Sequence, residues 1–313
     1  MVARSAEKFA DIPNGSSAYI TFLVVDAKGK IDTRGHDFID VSASDGTQTV
    51  SVKVWDTVLS ESGIEIGKVL RGHVDSKEYR GATSYSMRTY AQDSEHPASA
   101  FIVNPPVPIE DMRAWIENRI RAMKEPYRAV AHRIMAEQGD AYAFSAAGRS
   151  IHHAFIGGLL YHSYRMAKAA EILCDIYGGD RDLVVCGCIL HDIGKLECLK
   201  TGWSGQADYT ATGHLEDHSL CGTRIVETAA RAEEVADTEE IRTLIHIIAS
   251  HQAKQEYGAI VEPMTREALM VSMLDMMDMQ QEICDEQLKS VEAGQFTLNP
   301  VAGLDRKLYR PAI

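Results

Sequence analysis

The sequence predicts a multi-domain α and β protein: an N-terminal five-stranded β-barrel followed by an all-α body. Three observations predict it. Residues 17–91 contain five short segments rich in β-branched and aromatic residues, separated by turn signals. Residues 104–108 read Asn-Pro-Pro-Val-Pro, a stiff extended stretch that marks a boundary. Beyond it the apolar residues recur at helical spacing to about residue 292.

The strands come in order as SAYITFLVV (17–25), HDFIDVSAS (36–44), TQTVSVKVW (47–55), KVLRGHVDS (68–76) and TSYSMRTYA (83–91). Val50, Val52 and Val54 alternate with Ser51, Lys53 and Trp55, the period of a half-buried strand. Turns are expected at Asp26–Lys30, Asp45-Gly46 and Tyr79–Ala82, and a short helix at Asp56–Gly67. Five strands with a helix after the third is the order of an OB-fold barrel. After the prolines, helices are expected at 110–123, 127–138, 150–177, 181–192, 216–235, 238–252 and 264–289. The expected domains are therefore 1–103 (barrel), 104–148 (Pro-rich linker and connecting helices), 149–292 (helical body) and 293–313 (irregular tail).

Composition limits the function classes. The 313 residues are 45% hydrophobic and 25% charged, values of a folded protein, and no apolar run reaches the ~20 residues of a membrane span. The N-terminus has no apolar core of a secretory signal, and six cysteines scattered without a Cys-x-x-Cys pair read as reduced core residues, so a cytoplasmic protein is expected. Net charge is −13, of which residues 1–103 carry −3 and the remainder −10. A nonspecific duplex-DNA coat protein would be basic, so any polyanion must be met by local groups or bound cations.

Nine of the twelve histidines lie between His132 and His251, in the acidic part of the chain. That density points to metal chemistry. Phe155, Leu159, His162, Met166, Ala169 and Leu173 form one stripe of a helix with His162 in its middle. Alone, His162 reads as a core histidine. The apolar run Leu183–Leu190 then leads straight into His191-Asp192-Ile193-Gly194-Lys195. A buried His-Asp pair is costly to desolvate, and a cation that takes both nitrogen and oxygen donors (Mn, Fe, Zn or Mg) offsets the cost. Gly194 fits a helix end, with Lys195 projecting beside the site. His251 shares the inward face of Leu244 and Ile248, and His218 opens another helix, with His214 its competitor. Asp275 lies in a helix apolar nearly all round, expected to be largely buried, where a lone carboxylate needs a partner or a metal.

His162, His191-Asp192 and Asp275 together resemble the H…HD…D signature of HD-domain metal phosphohydrolases. The segments HHAFIGGLLYHSYRMAKAA (152–170), ILHDIGK (189–195), GHLEDHS (213–219), ASHQAKQEYG (249–258) and EALMVSMLDMMD (267–278), with GKVLRGHVDSKEYRG (67–81) before them, resemble successive motifs of the YhaM-type 3′–5′ exoribonucleases. The likeness covers roughly residues 15–285. It implies an N-terminal OB-fold, an HD domain at 149–292 and hydrolysis of single-stranded RNA, with single-stranded DNA a second substrate. It also implies a divalent metal, Mn2+ first with Fe2+, Co2+, Mg2+, Zn2+ and Ni2+ as alternatives, one or two ions per chain. By alignment it favours His218 over His214 as a ligand. Asp192 becomes the bridging and catalytic carboxylate. His162, His191 and Asp275 complete one shell, His218 and His251 hold a second ion, and Lys195 pairs with the scissile phosphate or, as a helix-end lysine, with the helix dipole. His152 and His153 are candidates for phosphate contact or helix capping. Tyr161 stands where the family has Glu, and Gln252 where it has a second His, which weakens the case for the second ion.

In the barrel, Trp55, Tyr79, Tyr85 and Tyr90 are candidate base-stacking residues, with Lys53, Lys77, Arg80 and Arg88 on phosphates, and half of the aromatics are expected in the core. Competing readings are an HD phosphohydrolase of nucleotides or cyclic dinucleotides, and a nucleic-acid-binding adaptor with a decayed metal site. A homo-oligomer is compatible with either.

Overall fold

The computed structural model describes residues 5–79, 82–148, 155–202, 204–289 and 291–313. It divides into two compact units, Met1–Asn104 with Gln287–Ile313, and Pro105–Glu286. Residues 287–313 thus group with the strands, and 105–148 with the helices.

The first unit is built on β1 (Ser17–Ile31), β2 (Asp37–Ser44), β3 (Thr49–Trp55), β4 (Val69–Tyr79) and β5 (Ala82–Gln92), closed in the order β1-β2-β3-β5-β4. This is the OB-type barrel. A short parallel pairing of β3 with β5 closes it, and every other pair is antiparallel. β1 serves two neighbours: Ser17–Leu23 pair with β4 and Leu23–Ile31 with β2, across a register shift between Val24 and Asp26. Such a shift lets one strand bend round a barrel corner. There Phe22 and Val24 point into the barrel core, while Leu23 and Val25 pack with Val69 and Phe101 outside it.

Two local expectations are corrected. Asp26–Lys30 is not a turn; the strand runs on to Ile31, and Lys30 pairs with Asp40 of β2 at 2.5 Å. The turn lies at 32–36, where Asp32 Oδ1 accepts the amides of Arg34 and His36 and Gly35 supplies φ +89°. Nor is Asp56–Gly67 a helix. It holds a single 3-10 turn at Leu59–Glu61, because Asp56, Gly63 and Gly67 all take positive φ, which interrupts helical geometry.

The second unit contains α1 (Ile109–Arg121), α2 (Tyr127–Phe144), α3 (Gly158–Tyr177), α4 (Arg181–Leu190), α5 (Lys195–Cys198), α6 (Ala211–Leu215), α7 (His218–Ala232), α8 (Glu239–Ser250) and α9 (Arg266–Leu288). A small hairpin, β6 (Leu199–Thr201) with β7 (Ala207–Tyr209), interrupts the expected all-α body. α4 is its centre: Leu183 to Leu190 are all buried, and the Tyr142 hydroxyl donates to the Ile189 carbonyl at 2.8 Å. α1 and α2 contribute Met112, Ile116, Tyr127 and Ile134 to the same core. Asp180, Thr210, Asp217 and Thr238 accept backbone amides at the starts of α4, α6, α7 and α8. Such caps fix where those helices begin.

α3 starts at Gly158 rather than Ser150, after Gly157 at φ +77°; residues 149–154, including His152 and His153, lie outside the described residues. α9 buries one face only, with Ala268, Val271, Leu274 and Ile283 inward, and Leu269, Met273 and Met277 exposed. Among the described residues, no helix is long and apolar enough to cross a membrane.

Gly194 is needed for a reason other than a left-handed helix end. Its φ is −65°, which any residue adopts, but a Cβ there would lie 2.0 Å from the His218 carbonyl oxygen and 2.5 Å from the Gly222 amide. The start of α5 therefore presses backbone to backbone on the first turns of α7. Gly194→Ala must push these elements apart; we expect at least the ~1–3 kcal/mol loss typical of overpacking, read as a lower denaturation midpoint. An unchanged midpoint would show that the two helices are not in such close register.

Candidate metal centre

Six side chains from five places in the helical unit meet at one point. His162 comes from the interior of α3, His191 from the C-terminal end of α4, and Asp192 from the residue after it. His218 opens α7, His251 ends α8, and Asp275 lies on α9. His162 and His191 are fully buried, and Asp192 and His251 are nearly so.

The donors fall into two groups. One is His162, His191 and Asp275; the other is Asp192, His218 and His251. Asp192 joins them. Its Oδ2 lies 3.3 Å from His191 Nε2 and 3.8 Å from His162 Nε2, whereas its Oδ1 lies 3.4 Å from His218 Nε2 and 3.6 Å from His251 Nε2. Asp275 Oδ1 lies 3.2 Å from His162 Nε2. Within each group two imidazole Nε2 atoms face each other, at 3.1 Å for His162 and His191 and 3.2 Å for His218 and His251. His191 and His251 direct Nδ1 to carbonyls three residues back, Cys188 at 3.0 Å and Ile248 at 2.7 Å, so Nε2 is left pointing inward.

Nitrogen lone pairs and carboxylates converging in a buried space are mutually repulsive unless a proton or a cation lies among them. The mixed imidazole and carboxylate set suits first-row divalent ions, so the residues present fit a metal. The electrostatics agree. Burial disfavours charge on Asp192, yet the Lys195 ammonium and His191 hold its carboxyl well below the ordinary range. Burial likewise opposes charge on Asp275, and His162 outweighs it and holds this carboxyl low. Burial, helped by His191, keeps His251 neutral by lowering it to about 4. Burial would lower His162 too, but Asp275 and Asp278 outweigh it and raise this imidazole to about 9. The proton on His162 is thus one that a cation would displace. Lys195 Nζ is 2.6 Å from Asp192 Oδ2, with its side chain only 17% exposed.

His214 lies elsewhere, on α6 with its ring 5.4 Å from Tyr209. Gln252 is beside the second group, its Nε2 2.8 Å from His218 Nε2. It is packed tightly: at Gly258, φ +112°, a Cβ would come within 2.1 Å of Gln252 Oε1. The Tyr161 ring lies under the Arg165 guanidinium at 5.3 Å. The cysteines join neither group; Cys198 and Cys221 lie 3.5 Å apart. Sequence reasoning missed Asp278, whose Oδ2 is 2.7 Å from His162 Nδ1. Its spacing, one helical turn after Asp275 in an apolar run, was the available signal.

In the barrel unit, Trp55 on β3 is 40% exposed and stacks against Phe38 of β2 at 4.9 Å, with Lys53 Nζ 5.4 Å above the indole. Lys77, Tyr79 and Arg88 are exposed. Arg80 lies outside the described residues. One expectation is corrected, within the share of aromatics expected in the core. Tyr85 is buried, donates to the Phe9 carbonyl at 3.1 Å and has no free face for a base. Tyr90 is half-buried against the barrel core and donates to the Ser62 carbonyl at 2.9 Å. Phe38 was missed because only strand pairing, Phe38 opposite Trp55, shows the two rings together. A second cross-strand ring pair was missed for the same reason: half-buried Tyr19 lies 4.9 Å from His73, its strand partner, with the rings tilted by 59° and Arg71 over the Tyr19 ring.

The HD domain family profile matches residues 159–280, the span that contains all six donors. Over nearly its whole length the chain is similar to proteins named 3′-5′ exoribonuclease YhaM. That of Bacillus pumilus (strain SAFR-032) is 30% identical over 304 residues, covering 95% of this chain and 96% of the relative. That of Bacillus subtilis (strain 168) is 30% identical over 299 residues, covering 93% and 94%. That of Listeria monocytogenes serovar 1/2a (strain EGD-e) is 29% identical, covering 97% and 98%.

Metal addition should be visible in stability. Protein stripped with a chelator and then given Mn2+ at a hundred times its Kd is expected to gain about 2.7 kcal/mol, read as a rise in melting temperature. Asp192→Ala should lose most of that rise and most of the bound Mn2+ while keeping its far-ultraviolet circular dichroism. A full Mn2+ response in Asp192→Ala would remove Asp192 from the metal shell.

Proposed function

The chain belongs to the YhaM family of 3′-5′ exoribonucleases, and from that premise we propose that it removes nucleotides from the 3′ end of single-stranded RNA at the Asp192 centre, with Mn2+ as its cation. The observation that carries this reading is the two-sided placement of Asp192, one oxygen toward each donor group.

His162, His191 and Asp275, with Asp192 Oδ2, would hold one ion; His218 and His251, with Asp192 Oδ1, would hold the other. Cations bound there supply an acidified water and neutralise charge on the phosphoryl oxygens. The chain's own residues do the rest. Asp192 and Asp275 stay ionised because neighbouring cationic groups outweigh their burial. Lys195, fixed at 2.6 Å from Asp192, holds a positive charge beside the place of the scissile phosphate. The buried walls from α3, α4 and α8 exclude bulk water, which strengthens each of these interactions.

Gln252 sets the second ion apart. Its amide nitrogen is within hydrogen-bond distance of the His218 Nε2 that this ion needs, so the second ion must displace a hydrogen bond and binds more weakly than the first. On the barrel, the Phe38–Trp55 stack with Lys53 above it offers a face for a base and a charge for a phosphate. Single-stranded DNA shares both features and is proposed as a second, weaker substrate. The six cysteines, all free thiols, support a cytoplasmic setting.

A 5′-labelled single-stranded RNA incubated with Mn2+ should give a ladder shortening from the 3′ end. Asp192→Ala should reduce that activity more than tenfold, a barrier rise above about 1.4 kcal/mol; retention of over a tenth of the rate would show that the chemistry lies elsewhere. Gln252→His should raise activity at low Mn2+ and tighten the weaker of two Mn2+ binding steps. If the Mn2+ titration does not move, Gln252 lies outside the shell. Trp55→Ala should weaken single-strand binding by ~1–3 kcal/mol, seen in KM more than kcat. Equal losses on a long strand and on a small phosphodiester would rule out a stacking role for Trp55.

A further inference from the structure

We propose that Asp278, held in place by Arg165, is the positioning residue of the metal centre: it fixes the His162 ring so that Nε2, and not Nδ1, faces the cation. The inference rests on the reading that the His162 group binds a divalent ion, and goes beyond it by assigning a residue that touches no metal.

The need for such a residue follows from where His162 stands. A ligand histidine requires an acceptor for the ring nitrogen that faces away from the metal. His191 and His251 follow the last residues of α4 and α8, where backbone carbonyls have no partner within the helix. Each takes the carbonyl three residues back. His218, at the start of α7, has the Asp217 carboxylate 3.3 Å from its Nδ1. His162 has no such resource. It is the fifth residue of a 20-residue helix, and carbonyls in that position are already spent on the helix's own hydrogen bonds. Its Nδ1 needs an acceptor from another element, and Asp278 Oδ2 supplies it at 2.7 Å from α9.

The same helix serves both nitrogens of the ring. Asp275 lies against Nε2 at 3.2 Å and Asp278 against Nδ1, three residues apart on one face of α9. Asp278 is itself constrained. It is 7% exposed, and its other oxygen accepts from Arg165 Nε at 2.7 Å. Arg165 is one turn beyond His162 on α3, and its remaining arm reaches Glu282 at 2.7 Å, one turn beyond Asp278 on α9. Acid and base thus alternate along the two helices, and the ring cannot rotate without breaking the Asp278 contact. A carboxylate on Nδ1–H also makes Nε2 a more basic donor.

The test is Mn2+ binding by calorimetry to the full-length, metal-stripped protein. Asp278→Asn should weaken the affinity for one of the ions by ~10–100-fold, the usual effect of losing such a partner, and Asp278→Ala by at least as much. Glu282→Gln loosens the far end of the Arg165 clamp while Asp278 stays on His162, and should lower Mn2+ affinity far less than Asp278→Asn. Parent-like Mn2+ affinity in a folded Asp278→Asn protein would overturn the proposal. So would an equal loss in Glu282→Gln, which would mean that the network only ties α3 to α9. If Asp278→Asn fails to fold, Arg165→Gln decides: it should lower the affinity in the same direction, less steeply, and no change would overturn the assignment. A parent protein that binds no Mn2+ would sink the metal reading and this proposal together, whereas a binding parent with an equally binding variant sinks this proposal alone.

Discussion

The helical unit is organised around one unfavourable arrangement: a buried carboxylate, Asp192, with four imidazoles directed at it. Removing Asp192 from water opposes its charge, and Lys195 and His191 hold it ionised nonetheless. Each of the four rings has Nε2 turned inward, 3.1 Å apart for His162 and His191, where the His162 proton lies between them, and 3.2 Å apart for His218 and His251. Such a cluster is sustained only if every ring is fixed from behind and a cation can join it from the front.

Helix ends provide most of that fixing. His191 and His251 exploit the unpaired carbonyls that every α-helix leaves at its C-terminus. Helix C-termini also favour positive charge through the helix dipole, so both rings stand where a cation is welcome. Bringing the ends of α4 and α8 and the start of α7 to one point demands close backbone contact. Gly194 permits it, since any side chain there would overlap the His218 carbonyl. His162, deep within a helix, is the exception, and there the carboxylates of α9 do what carbonyls do elsewhere.

The barrel solves a different problem. A closed sheet has no edge to pair with another chain, and its strands bring side chains into cross-strand pairs that chain order hides. Phe38 and Trp55 are 17 positions apart in sequence and adjacent in space. Lys53 lies above both rings. An aromatic face with a cation is a sequence-tolerant way to hold a single strand. The same face would serve poorly in a binder that reads base sequence.

What the sequence determined by itself was whatever depends on neighbours in the chain. Alternation marked the strands, the prolines marked the change of architecture, and the His-Asp pair ending an apolar run pointed to the candidate metal centre; Asp275 was singled out on the expectation of a helix buried all round, whereas α9 buries one face only. His218 over His214 needed the family motif, for spacing alone left both open. Tertiary structure alone decided the rest. Tyr85 and Tyr90 look like Trp55 in sequence, yet barrel closure turns Tyr85 inward to Phe9 and ties Tyr90 to Ser62. Gly194 reads as a helix terminator, but its need arises from α7, 24 residues downstream at His218. Asp278 became visible as a partner of His162 only when α9 lay beside α3. Local propensity and periodicity are properties of a segment, whereas the fate of a ring or a carboxylate depends on which distant element packs against it.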